Sequence, residues 1–218
     1  PKRWNDNSAP WKTWSSDCSI SSVQATEMAR SAVMLRQACR LIPFERSIPP
    51  GLQISAELVW TSEGWLELSY GVLARAATGI NALRLPTGLN AGSQQGQRRD
   101  DLWTTTCFEA FLAAPGEQGY WEINLAPNGD WAVYRFDHYR SGQTHQELST
   151  PPTVRLQRGA HQLRLDARIS LEPWWTQGSC PDLALTAVID RGHEGLSHWA
   201  LCHGRKPDFH DRSTFLAA

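Results

Sequence analysis

Residues 106–139, TCFEAFLAAPGEQGYWEINLAPNGDWAVYRFDHY, read as three successive β-strands, the last two closing into a hairpin. Asn128-Gly129 is a strong hairpin signal, because a two-residue type I′ turn needs φ > 0 at both central positions. With that turn, Pro127 faces Asp130, Trp131 faces Ala126, and the pairing runs outward until Glu122 faces Arg135. Side chains alternate across a sheet. One face is then expected to carry Trp121, Ile123, Leu125, Ala132, Tyr134 and Phe136, a core face. The other is expected to carry Tyr120, Glu122, Asn124, Trp131, Val133, Arg135 and Asp137. An acid, an amide, a cation and aromatics on one face suit a polar, ring-shaped ligand. An ordinary solvated sheet face with a surface ion pair would look the same. The preceding strand puts Cys107, Glu109 and Phe111 on one side and Phe108, Ala110 and Leu112 on the other. Glu109 is thus expected to join the polar face.

Outward from this segment, short alternating stretches dominate. Residues 52–60 alternate at Leu52, Ile54, Ala56, Leu58 and Trp60, and residues 65–74 at Leu66, Leu68, Tyr70 and Val72. Thr61-Ser62-Glu63-Gly64 supplies the turn between them. Further strands are expected at 79–85, at 183–189 and at 198–202. Residues 153–156 and 161–169 read as a hairpin with Leu163, Leu165, Ala167 and Ile169 inward. Residues 90–99 form a polar, Gly-rich loop, and residues 171–181, with Trp174 and Trp175, hold a short helical turn. Many short strands with almost no helical periodicity indicate an all-β antiparallel sandwich. That domain is expected to span residues 37–218. Residues 1–36 read as an extension, part disordered and part a short helix.

Bulk properties narrow the partners. The chain has 218 residues and a net charge of -1, enough length for a sizeable core without disulfide staples. The balanced charge argues against nucleic acid or an anionic membrane as the main partner. No apolar leader or spanning run is visible. The five cysteines are odd in number and lack CxxC spacing. Free thiols in a reducing compartment account for them better than zinc does, which favours the cytoplasm. Eleven tryptophans are the compositional outlier. They suit either ligand surfaces or core packing.

Other constellations carry less. Glu109 and Glu122 on adjacent strands permit a glycosidase-like carboxylate pair. The stretch 203–212 offers Lys206, Asp208 and His210 beside the ligand face, though its spacing fits no standard zinc pattern. Asp100-Asp101 suggests a structural calcium only weakly. Phosphate loops, GxSxG, HExxH and dinucleotide glycine fingerprints are absent.

The segments Asp101-Leu102-Trp103-Thr104-Thr105-Thr106-Cys107-Phe108-Glu109-Ala110-Phe111-Leu112 and Tyr120-Trp121-Glu122-Ile123-Asn124-Leu125-Ala126-Pro127-Asn128-Gly129-Asp130-Trp131 resemble the DOMON-like family related to type 9 carbohydrate-binding modules. Val133-Tyr134-Arg135-Phe136 and Lys206-Pro207-Asp208-Phe209-His210-Asp211 extend the resemblance, which covers roughly residues 40–215. It implies a β-sandwich (jelly-roll or immunoglobulin-like) with a ligand site on a sheet face or its rim. By motif position it implies Glu109, Glu122, Asn124 and Arg135 as polar ligand-binding members, and Trp103 and Trp131 as aromatic ones. The expected function is non-catalytic binding of a carbohydrate or similar polyol, with no cofactor beyond a structural calcium. A carbohydrate-active hydrolase using Glu109 and Glu122, or a protein-interaction scaffold, are the alternatives. Haem is disfavoured, because no His lies on the hairpin's polar face and methionine is scarce.

Overall fold

The structure, a computed structural model, describes residues 33–75, 79–87, 96–175 and 180–217. The expected extension therefore lies outside the described residues up to position 32, as does most of the Gly-rich loop. Among the described residues twelve strands follow one another: β1 (Val33–Pro43), β2 (Leu52–Thr61), β3 (Trp65–Ala74), β4 (Cys107–Ala113), β5 (Tyr120–Leu125), β6 (Trp131–Phe136), β7 (Thr144–His145), β8 (Thr153–Arg158), β9 (Gln162–Ser170), β10 (Asp182–Asp190), β11 (Leu196–Ala200) and β12 (Leu216–Ala217). Val33–Arg36, expected in the extension, belong to β1. Gly79–Ala82, expected as strand, is a 3-10 turn. Gly79 has φ +55 there, a left-handed value that breaks an extended run.

The strands form one antiparallel sheet in the order β7-β6-β5-β4-β10-β11-β1-β2-β3-β9-β8, with β12 added to β10. The sheet folds over into two layers, and β1 turns the corner. Its first part pairs with β2 through Leu41↔Ile54, and its end pairs with β11 through Ile42↔Ala200 and Pro43↔Trp199. The first layer (β1, β2, β3, β9, β8) behaves as alternation dictates. Ile54, Ala56, Leu58 and Trp60 of β2 are buried, as are Leu163, Leu165, Ala167 and Ile169 of β9. Their other faces carry Glu57, Glu67, Arg164 and Arg168 toward solvent.

The second layer departs from that rule. Every residue of β4 is buried, and so is nearly all of β10. Phe108, Ala110, Leu112, Ile123, Leu125 and Val133 face the first layer in the main core. Cys107, Phe111, Tyr120, Tyr134 and Phe136 face outward, yet they form a second cluster with Phe209 and, at its margin, Phe215. Residues 203–215 thus lie across the outer face and give it a second core. Tyr70 of β3 fastens the layers: its buried hydroxyl donates to the Glu109 carbonyl at 2.6 Å.

Tryptophan abundance has a packing explanation in part. Trp60, Trp121, Trp174 and Trp175 form one chain of ring contacts, with centroids 5.2–5.6 Å apart. Edge-to-face and tilted contacts at such spacing are favourable beyond the area buried.

Candidate functional site

The 126–130 turn sets the geometry of the site and corrects the expected register. The Gly129 amide donates to the Ala126 carbonyl at 2.9 Å, and the Ala126 amide to the Asp130 carbonyl at 2.8 Å. Pro127 and Asn128 are then the central residues of a turn closed by Gly129 at φ +89. Among the described residues, positive φ outside glycine occurs only at Asp101 and Arg140, so Asn128 does not take the type I′ conformation. A three-residue loop with its left-handed residue last replaces the two-residue loop. Proline explains the choice: its φ near −65° suits the first central position of a type I turn. The Asn128 side chain adds local support, accepting from the Asp130 amide at 3.2 Å and donating to the Asp130 carboxylate at 2.9 Å.

One extra loop residue moves the register by one, which carries the β6 residues to opposite faces. Glu122 pairs with Tyr134, and Arg135 pairs with Trp121. Glu122 and Arg135 are on different sides of the ribbon, so the expected cross-strand ion pair does not form. Trp131 lies in the main core, and the Arg135 guanidinium stacks on Trp121, 4.4 Å from the ring centroid. Trp131 and Arg135 are therefore separated from the polar set. Of the residues expected on one face, Glu109, Glu122 and Asn124 remain together.

These three share the outer face with Thr186. Glu109 lies directly beside Asn124 on one neighbouring strand and Thr186 on the other. All are almost wholly buried, Glu109 at 2 %, Glu122 at 4 % and Asn124 at 0 % exposure. The Asn124 side-chain amide donates to Glu122 Oε1 at 2.8 Å. The Thr186 hydroxyl donates to Glu109 Oε2 at 3.4 Å. Glu109 Oε1 is buried without a hydrogen-bond partner. An unpaired buried polar oxygen costs roughly 1–3 kcal/mol, more if charged.

Residues 203–215 and the turn after β6 cover this floor. His210 Nδ1 is 2.8 Å from the Tyr120 hydroxyl, and its Nε2 is 3.6 Å from Glu122 Oε2. The Arg140 amide donates to the Tyr120 oxygen at 3.1 Å. Tyr120 is thereby free to donate to His210 Nδ1, which leaves the imidazole proton on Nε2, toward Glu122. The Arg140 guanidinium is bound to Asp208 at 2.8 Å, and the Tyr139 hydroxyl donates to the same carboxylate at 2.5 Å. Arg140, at φ +50, is left-handed, which aims its amide at Tyr120. Lys206 is exposed, while Asp208 and His210 are partly buried.

Burial governs the electrostatics. It raises the Glu109 carboxyl well above its ordinary range, with Glu122 adding to the rise and Thr186 and Arg140 opposing it. Glu122 is pushed up to about 7 by burial, against the Asn124 hydrogen bond and the Arg140 charge. His210 is pushed down to about 4, by burial first and then by Arg140. Burial thus opposes ionisation of both carboxyl groups and protonation of the imidazole beside them.

Trp103 stands at the margin of this face, 37 % exposed, with its ring 6.2 Å from that of Tyr134. Asp101, at φ 61, opens the 3-10 turn Leu102–Thr104 that presents it. Asp100 accepts from the Tyr134 hydroxyl at 2.5 Å and from Arg98 at 2.8 Å. Among the described residues no cluster of three or more His, Cys, Asp or Glu could hold a metal ion. Thr186 and Arg140 were not singled out from the sequence, and Tyr120 was expected on this face but without a role in the site. Thr186 was in principle visible as the single polar residue within the apolar run Leu183–Ile189, whereas Arg140 and the His210 partner of Tyr120 depend on the path of the covering segments.

No family model and no curated protein matches the sequence. Solved structures do resemble the fold. A candidate carbohydrate-binding protein of Bacteroides uniformis ATCC 8492 is 11 % identical with a TM-score of 0.55, covering 83 % of this chain and 84 % of its own. A family 9 carbohydrate-binding module of Caldicellulosiruptor kristjanssonii is 13 % identical in its glucose complex (TM-score 0.44, covering 78 % of this chain and 76 % of its own). The cellotriose complex gives a TM-score of 0.46 at 13 % identity, covering 78 % and 75 %. The likeness to the Bacteroides uniformis protein is one of fold.

Proposed function

We propose that the protein is a non-catalytic module that binds a carbohydrate or similar polyol on the outer face of the second layer. The observation that carries this reading is Glu109 Oε1, a buried oxygen without a hydrogen-bond partner beside the fixed groups Glu122, Asn124 and Thr186. A saccharide hydroxyl can donate to a carboxyl oxygen or accept from a carboxyl proton at such a floor. Trp103 offers an aromatic surface at the margin. The fold shared with the Bacteroides uniformis protein supports the reading without assigning the site.

Catalysis by the same carboxyl pair is less well supported. Retaining and inverting glycosidases need one ionised carboxylate beside one acid. Here burial raises both groups, and neither is held ionised by a cation of its own, since Arg140 is bound to Asp208.

Calorimetric titration of the full chain with neutral mono- and oligosaccharides tests the binding reading. Wild type is expected to bind at least one, and Asn124→Ala to weaken that binding at least tenfold. Wild-type protein that binds no saccharide of the panel removes the reading.

A further inference from the structure

We propose that the solvent face of the first layer is a separate binding surface, which takes an acidic polysaccharide with one uronic-acid ring seated in a hollow over Gly71. This surface belongs to the layer opposite Glu109 and does not depend on the reading of that face. Along β1, β2, β3, β9 and β8 the outward positions carry five arginines, Arg36, Arg40, Arg155, Arg164 and Arg168, against three acids, Glu57, Glu67 and Asp166. The chain as a whole has a net charge of -1, so a positive surplus is gathered on this one face. Each acid already has a cation. Arg36 meets Glu57 at 2.6 Å, Arg164 meets Asp166 at 2.9 Å, and Arg168 meets Glu67 at 3.5 Å. Arg40 and Arg155 are exposed and pair with no carboxylate among the described residues.

Between the arginines the face is hollow. Strand register puts Arg40, Ser55, Gly71 and Arg164 in one line across four strands. With strands about 4.8 Å apart, the two arginine backbones stand roughly 14 Å from each other, with only a hydroxymethyl group and a hydrogen atom between them. Ala38, Glu57 and Ser69 continue the depression in the neighbouring line. The hollow measures about 180 Å³, room for a single sugar ring. A Cβ on Gly71 would lie 2.8 Å from Ser55 Oγ. Glycine inside a strand marks such a place of close approach.

The rim selects the chemistry. Ser55, Ser69 and Glu57 Oε2 suit sugar hydroxyls, and a guanidinium fork suits a carboxylate. A denser polyanion fits worse. Duplex DNA carries a negative charge about every 1.7 Å, which would set phosphates against Glu57, Glu67 and Asp166. A polyuronate carries one carboxylate per ring and turns hydroxyls toward those acids.

The test is isothermal titration of the full chain with trigalacturonate, with neutral maltotriose and with a short DNA duplex. Trigalacturonate is expected to bind, to weaken as salt is added, and to bind at least tenfold more tightly than the duplex. Ser55→Tyr, which fills the hollow, and Arg40→Gln, which removes an unpaired charge, are each expected to weaken trigalacturonate at least fivefold and to leave any maltotriose binding unchanged. Both positions are exposed, and either variant decides the matter should the other not fold. No binding of trigalacturonate, binding that both variants leave intact, an equal loss of maltotriose, or a duplex that binds as tightly overturns the proposal. Failure of maltotriose alone bears on the second-layer reading and leaves this one standing.

Discussion

Glu122 and His210 are neighbours whose folded-state proton affinities are shifted in opposite directions. Glu122 rises from 4.5 to about 7, so the folded state holds its proton more tightly than the unfolded chain does. Its contribution is full below pH 4.5 and is lost as pH rises toward 7, a loss on the order of 3 kcal/mol. His210 falls from 6.5 to about 4. Its contribution is full above pH 6.5 and is lost on acidification toward 4, by a similar order of magnitude. Between about pH 4.5 and 6.5 the two slopes oppose each other. Relative to wild type, Glu122→Gln is expected to tilt the urea midpoints upward from pH 4.5 to 6.5, with the raised Glu109 still opposing His210. His210→Gln is expected to do the reverse, with midpoints falling from pH 5 to 7. Identical pH profiles in the two variants would contradict the buried assignment of both groups. Arg135 supplies a second prediction at this scale. Because its guanidinium stacks on Trp121 on the face opposite Glu122, Arg135→Ala should lower stability by about 1 kcal/mol and leave saccharide affinity unchanged. A tenfold loss of affinity with intact folding would restore it to the site.

At the scale of the element, the 126–130 turn determines which β6 side chains look outward. Gly129 at φ +89 is the residue that closes it. Gly129→Ala places a Cβ in left-handed space and should cost about 1–2 kcal/mol in chemical denaturation. A neutral result would mean that the loop is not held in this conformation. The C-terminal segment is the other decisive element. Phe209 packs on Phe111 with centroids 6.5 Å apart and is nearly buried. Phe209→Ala is expected to cost about 3 kcal/mol, the lower end for a buried phenylalanine. A loss under about 1 kcal/mol would show that the segment contributes little to the fold.

For the whole molecule, the second layer works as a shared wall between two apolar clusters, one facing the first layer and one facing residues 203–215. Truncation after Cys202 should therefore expose Phe111, Tyr120 and Phe136 together, read as binding of a hydrophobic dye and a lowered midpoint. A truncated chain that melts as wild type does and binds no dye would refute that arrangement. Alternation in 52–60, 65–74 and 161–169 was enough to specify β2, β3 and β9 of the first layer, because one of its faces meets water and the period-two pattern survives. The phases within Thr106–Leu112 were equally legible: Glu109 and Cys107 share a face as their spacing requires. Strand-by-strand periodicity, and hence the all-β class and the Glu109–Glu122–Asn124 grouping, follow from the sequence because a pleat is a local, short-range geometry. The partner of each hairpin residue, and whether the polar face meets water or protein, do not. The first turns on one loop residue, where the Pro127 preference for a type I turn outweighed the Asn-Gly signal. The second depends on residues 203–215, some eighty positions away, settling over β5 and turning a face of charged and amide groups into a buried floor.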